Sequence, residues 1–166
     1  MTKQVKIAII AGVAVVGLGT LLLLNQPSEH DQMKGTSAEH NVLQSDKSSH
    51  DFGTISMKDG KVKTIFKVKN STAEAITLTK LYTTCMCTEA KLMVNGVSEG
   101  PFGMPGHGSV PTFLQKLEPN QEAEVEVEYD PNAHGPSGVG RIERQVIVEG
   151  NDGKLATLNI IANVTP

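Results

Sequence analysis

The chain has 166 residues, a net charge of −3, two cysteines, no tryptophan and only 4% aromatic residues. That length holds one domain with accessory segments. The charge lacks the basic excess that a nucleic-acid surface needs, so no nucleic-acid partner is expected.

The first element is apolar. Residues 1–6 form a basic start with Lys3 and Lys6, and Ile7 to Leu24 then run without a charge. The run is close to the length that crosses a bilayer as a helix. A cleavable signal ends in small residues. This run ends in "TLLLLNQP", and no cysteine follows it for lipid attachment. An uncleaved transmembrane anchor over 7–24 is therefore favoured over a secretory signal. Lysines precede the run and the next one is Lys34. By the positive-inside rule the remainder is exported, to the periplasm or the cell surface. Membrane contact through this helix and a protein partner outside are the expected associations.

Residues 25–49 are polar and without a period, which reads as a flexible linker. His30, His40 and His50 recur there, but their spacing matches no compact ligand motif.

From residue 50 to 166 the texture is that of a β-domain. In "GKVKTIFKVKN", Val62, Thr64, Phe66 and Val68 fall on one face and Lys61, Lys63, Ile65, Lys67 and Lys69 on the other. Such alternation marks a half-buried strand. "AEAITLTKLYTT" continues as another. "EAEVEVEYDP" alternates again, with Ala123, Val125, Val127 and Tyr129 inward and four glutamates outward. "RIERQVIVEGNDGKLATLNIIANV" reads as two strands joined by a tight turn at Asn151-Asp152-Gly153. Arg144 falls in phase with Ile142, Val146 and Val148, so it either sits at the rim of the core or follows a bulge. About seven short strands and no helix after the anchor predict an all-β, immunoglobulin-like antiparallel sandwich. In that architecture the lysine and glutamate ladders belong to neighbouring strands and face each other.

No serine elbow, H-E-x-x-H or phosphate loop appears, and the chain is not expected to be an enzyme. Asp130, His134 and Arg141 could meet in one polar loop cluster. The chemistry concentrates in "TTCMCTEA", which holds Cys85 and Cys87. A disulfide serving as a structural staple is the reading their spacing supports least, since such a bond would be strained and easily reduced. In an extended strand the two Cα atoms stand about 6–7 Å apart, near the limit for bridging, and the bond would staple almost nothing. Thiol redox chemistry lacks the helix N-terminus that activates Cys-x-x-Cys pairs. A soft-metal site is open: Cys85 and Cys87, with Met93, Met104 and His107 as further donors, suit copper. The remaining alternative is a structural turn at the edge of the sandwich, with a partner bound at that rim. No cofactor beyond that copper ion is expected.

"HDFGTI", "VKTIFKVKNSTAEAITLTKLYTTCMCT", "LEPNQEAEVEVEYDP" and "VIVEGNDG" together resemble the bacterial domain-of-unknown-function 1573 family, from about His50 to Val164. Its marks fall at Asp51-Phe52-Gly53, Asn70-Ser71, Thr84-Cys85-Met86-Cys87-Thr88 and Asn151-Asp152. Met86 replaces the glycine between the cysteines, Asn120-Gln121 replaces a Gly-Glu, and "VNGVSEGPFGMPGHGSVPTFLQK" is a long extra segment. The resemblance implies an exported or membrane-anchored immunoglobulin-type domain. It assigns no activity.

Overall fold

The computed structural model describes residues 42–107 and 110–166. The basic start, the anchor expected over 7–24 and the linker up to residue 41 lie outside the described residues. Among those described, no helix is long and apolar enough to cross a membrane.

The domain is all-β. In chain order the strands are β1 (Leu43–Ser45), β2 (Ser49–Ser56), β3 (Val62–Asn70), β4 (Ile76–Thr83), β5 (Thr88–Val94), β6 (Val97–Phe102), β7 (Gln115–Leu117), β8 (Glu122–Tyr129), β9 (Gly140–Gly150) and β10 (Gly153–Thr165). They form two five-stranded sheets, ordered β1-β3-β8-β5-β6 and β2-β10-β9-β4-β7. Between the sheets lie Phe66, Val68, Leu78, Leu81, Leu92, Val125, Val127, Leu158 and Ile160, each 1% exposed or less. Burying such side chains is worth roughly 1.5–3 kcal/mol apiece, which sets the inward face of every long strand.

Three expectations about the architecture are corrected. The described residues contain ten strands, not about seven. The sandwich is mixed, because β2 pairs with β10 in parallel while β10 pairs with β9 antiparallel. β2 is an edge strand with only half-buried apolar residues, Phe52 and Ile55, so its partner left no imprint on its pattern. The folded domain also starts before residue 50. β1 falls in the segment read as linker, and its Leu43 is 1% exposed against the core. One apolar residue in a polar stretch has no period to detect.

The long extra segment contains β6. Asn95 and Gly96 both have positive φ, 51° and 81°, and fold β5 back onto β6. That is the geometry an Asn-Gly hairpin turn adopts. The hairpin at Asn151-Asp152 forms as expected, with Gly150 opposite Gly153.

The charge ladders do pair. β3 lies antiparallel to β8 with Lys63 opposite Glu128, Lys67 opposite Glu124 and Lys69 opposite Glu122. Glu128 is the focus: Lys61 Nζ reaches its Oε1 at 2.6 Å and Lys63 Nζ its Oε2 at 2.8 Å. Hydrogen bonds from Lys61 and then Lys63 hold the Glu128 carboxyl at about 2, down from 4.5. A carboxyl lowered by folding stabilises above its unfolded value and loses that contribution as the pH falls through the folded one. Glu128→Gln should therefore lower Tm by about 2–4 °C at pH 7. The difference from wild type should shrink from pH 4.5 downward and vanish near pH 2. Paired thermal melts across that range check it, and a pH-independent difference would refute the linkage.

Candidate functional site

Four connections pass from one sheet to the other at the same end of the sandwich, 57–61 from β2 to β3 and three that gather around one site: residues 84–87 from β4 to β5, 103–114 from β6 to β7, and 130–139 from β8 to β9. Backbone hydrogen bonds tie these three together. Thr83 N donates to Gly103 O at 3.1 Å, Asp130 N to Cys87 O at 2.9 Å, and Thr84 N to Gln145 O at 3.0 Å.

The cysteines sit in the connection from β4 to β5. Thr88 N donates to Cys85 O at 3.1 Å, which closes a four-residue turn. The buried Thr83 hydroxyl, 3.0 Å from Cys85 O and 2.9 Å from Thr88 O, braces it from inside. Cys85 and Cys87 are joined by a disulfide, with Cα atoms 5.3 Å apart. This corrects the expectation that the pair stands near the limit for bridging. That expectation assumed extended backbone, and the turn brings the two Cα atoms inside the ordinary bridging range. The turn itself, at the edge of the sandwich, is where the sequence put it.

Each sulfur has a neighbour of its own. His134 Nε2 lies 3.2 Å from Cys85 Sγ. Arg144 Nε donates to Cys87 Sγ at 3.4 Å, while its Nη1 donates to the Glu143 carbonyl at 2.8 Å. Cys87 is 2% exposed and Cys85 8%, whereas Met86 between them is 51% exposed. Cys85 opens onto a cavity of about 380 Å³ that Met86, Met104, His107, His134, Glu143 and Arg144 also line.

Of the expected metal donors, Cys85, Cys87, Met104 and His107 thus gather at one end. Met93 does not. It lies on the outward face of β5 with Glu89 and Lys91, opposite Ser98 and Glu124. His134 was foreseen in a loop cluster with Asp130 and Arg141, and meets Cys85 instead. The two cysteine sulfurs and one ring nitrogen of His134 lie within 4.8 Å of one another. Arg144 resolves its alternatives as a rim residue: it is half-buried, and the β9–β10 register runs unbroken past it. A charge in phase with the apolar face of β9 was the signal available for it. Nothing comparable marked His134.

The arrangement has two chemical faces. As a disulfide it presents an electrophilic sulfur to the cavity, with a cation behind the second sulfur. Once reduced, it offers two thiolates and an imidazole, with thioether and imidazole donors nearby.

No curated protein matches the chain. Among solved structures, a protein of unknown function from Porphyromonas gingivalis W83 is 14% identical with a TM-score of 0.51, covering 74% of this chain and 46% of that one. The chain therefore spans about half the length of that protein, and the likeness is one of fold. The ASH / PapD-like domain of human CEP192 is 12% identical with a TM-score of 0.41, covering 84% of this chain and 96% of that domain. A family profile matches residues 43–103, which hold β1 to β6, Asn70 and both cysteines. His134 and Arg144 lie beyond the match. Over residues 43–103 the chain is similar to the family described as protein of unknown function (DUF1573).

Proposed function

We propose that this chain is a membrane-anchored, extracytoplasmic immunoglobulin-like module that works without catalysis and docks a partner protein at the cystine rim. One observation carries the reading: three inter-sheet connections converge on an open cavity with Met86 projecting at its mouth. Loops held on a rigid sandwich are where binding surfaces are usually built. The Cys85–Cys87 disulfide supports the compartment, because such bonds persist outside the cytoplasm. A photocrosslinking residue placed at position 86 should give one discrete adduct in the native envelope. The same residue at position 65, exposed on the outward face of β3, should give none. Equal labelling from both positions would overturn the rim as the docking surface.

The ligand geometry favours a second reading for the reduced form, a soft-metal site. Cys85, Cys87 and His134 supply three donors of the kind that holds Cu(I), and Met104 and His107 line the same cavity. Titration of Cu(I) against a competing chelator should show one-to-one binding by the reduced protein. Cys85→Ser/Cys87→Ser should abolish it, His134→Ala should weaken it, and Met93→Leu should leave it unchanged. Binding no tighter than that of the double serine variant would remove this reading.

A further inference from the structure

We propose that Cys85–Cys87 is an exchange-active disulfide with a fixed polarity: an incoming thiolate attacks Cys85, and Cys87 leaves as a thiolate held by Arg144. This goes beyond docking at the rim and stands whether or not a partner protein binds there.

Three observations carry it. First, the bond has little structural work. A bridge between residues two apart closes a very short loop and removes almost no unfolded-state entropy. Backbone hydrogen bonds from Thr88, Asp130 and Thr84 already hold the same turn. Second, the two sulfurs are unequal in access. Cys85 lines the cavity, while Cys87 lies behind it at 2% exposure. Third, their electrostatic surroundings are unequal. The Arg144 guanidinium is always charged and its Nε is aimed at Cys87 Sγ at 3.4 Å. A cation donating to that sulfur stabilises the negative charge that develops on it as the bond breaks, which makes Cys87 the better leaving group.

The step balances as follows. A thiolate of a dithiol donor bonds to Cys85 Sγ, the Cys85–Cys87 bond breaks, and its electron pair goes to Cys87 Sγ against Arg144. The donor's second thiolate then attacks the mixed disulfide. Cys85 leaves with the electron pair of that bond. His134, 3.2 Å away, stabilises the Cys85 thiolate with a hydrogen bond when Nε2 carries the proton. The donor ends as a disulfide and the rim as two thiolates, a transfer of two electrons; the two protons that the donor thiols gave to water on ionising are taken up again from water when the rim thiolates protonate. Run backwards, the same steps oxidise the pair and reduce the donor.

The test uses the full chain purified in detergent. Reduction by dithiothreitol is stopped with acid and read as alkylated thiols by mass spectrometry. Arg144→Gln should slow the reaction about three- to tenfold, and Arg144→Lys, which keeps the charge, should recover part of the loss. A brief reaction of the wild type with glutathione, quenched and digested, should place glutathione on Cys85. A merely structural arginine would not set which sulfur carries the adduct. If Arg144→Gln does not fold by circular dichroism, the lysine variant and the glutathione map decide alone. Glutathione on Cys87 or shared equally, or an unchanged rate in folded Arg144→Gln, would overturn the proposal. Because the readouts need only the isolated chain, they fail or succeed separately from crosslinking at position 86.

Discussion

Replacing Asn70 with alanine should destabilise the domain by about 3 kcal/mol and lower Tm by about 10 °C. Asn70 ends β3 with no exposed surface. Its Nδ2 donates to Glu74 O at 2.8 Å and to Leu117 O at 2.9 Å. Its Oδ1 accepts from Thr72 N at 3.0 Å and from the Thr72 hydroxyl at 2.7 Å. One amide thus satisfies the loop after β3 and the end of β7. Alanine would strip all four bonds and leave the Leu117 carbonyl buried without its partner. An unsatisfied buried group costs about 1–3 kcal/mol, and the space left by the amide adds to that cost. Asn70→Asp separates shape from hydrogen bonding. It keeps the size but sets a carboxylate against two carbonyl oxygens, and should be at least as damaging at pH 7. Urea unfolding of both variants checks this. A loss below about 1 kcal/mol for either would mean that water replaces the amide and the network is not holding the loop.

The second large effect is expected at Gly150. Its backbone has no need of positive φ, so the constraint is purely one of space. A Cβ there would come within 2.7 Å of Thr77 O and 2.7 Å of Leu155 Cδ1. Two tendencies compete. Glycine to alanine gains about 0.4–1 kcal/mol by restricting the unfolded chain. Overpacking costs about 1–3 kcal/mol. The leucine tip can rotate away, but the carbonyl belongs to β4, which pairs with β9 at Leu78 opposite Gly150. Moving it means parting two central strands, so the clash wins and a net loss of about 2 kcal/mol is expected. Gly103→Ala is the control: no atom lies within 4 Å of its Cβ, and its effect should stay within about 0.5 kcal/mol. Equal melting points for the two variants would show that the sheets yield at Gly150.

How much of this was legible depended on whether a residue's role is local. β3 and β8 announce themselves because each alternates over eight or nine residues, one face largely apolar and the other carrying charges of one sign. Burial and charge complementarity then place the two strands side by side. The Asn151-Asp152 hairpin is legible for the same reason, since turn chemistry is a property of adjacent residues. So was Asn95-Gly96, whose hairpin signal went unused inside a stretch read only as a long extra segment. β1 and β2 were not legible. Their stability comes from backbone pairing to β3 and β10, far along the chain, and such pairing imposes no side-chain pattern.

The site divides along the same line. The sequence by itself determined an all-β domain and its two charged strands, and it offered the turn at Cys85–Cys87 and a set of soft donors nearby as alternatives. Only the tertiary structure decided which donors meet. Met93 shares the outward face of β5 with Glu89 and Lys91, whereas Cys87 lies before that strand in the turn, which directs its sulfur inward. His134 and Arg144 are 47 and 57 residues from Cys87, and each arrives beside a sulfur because β8 crosses into β9 above the cystine turn. The disulfide was a tertiary outcome too. Residue spacing allows it only where the backbone turns, and this turn is held by bonds to β8 and β9 that no local stretch of sequence contains.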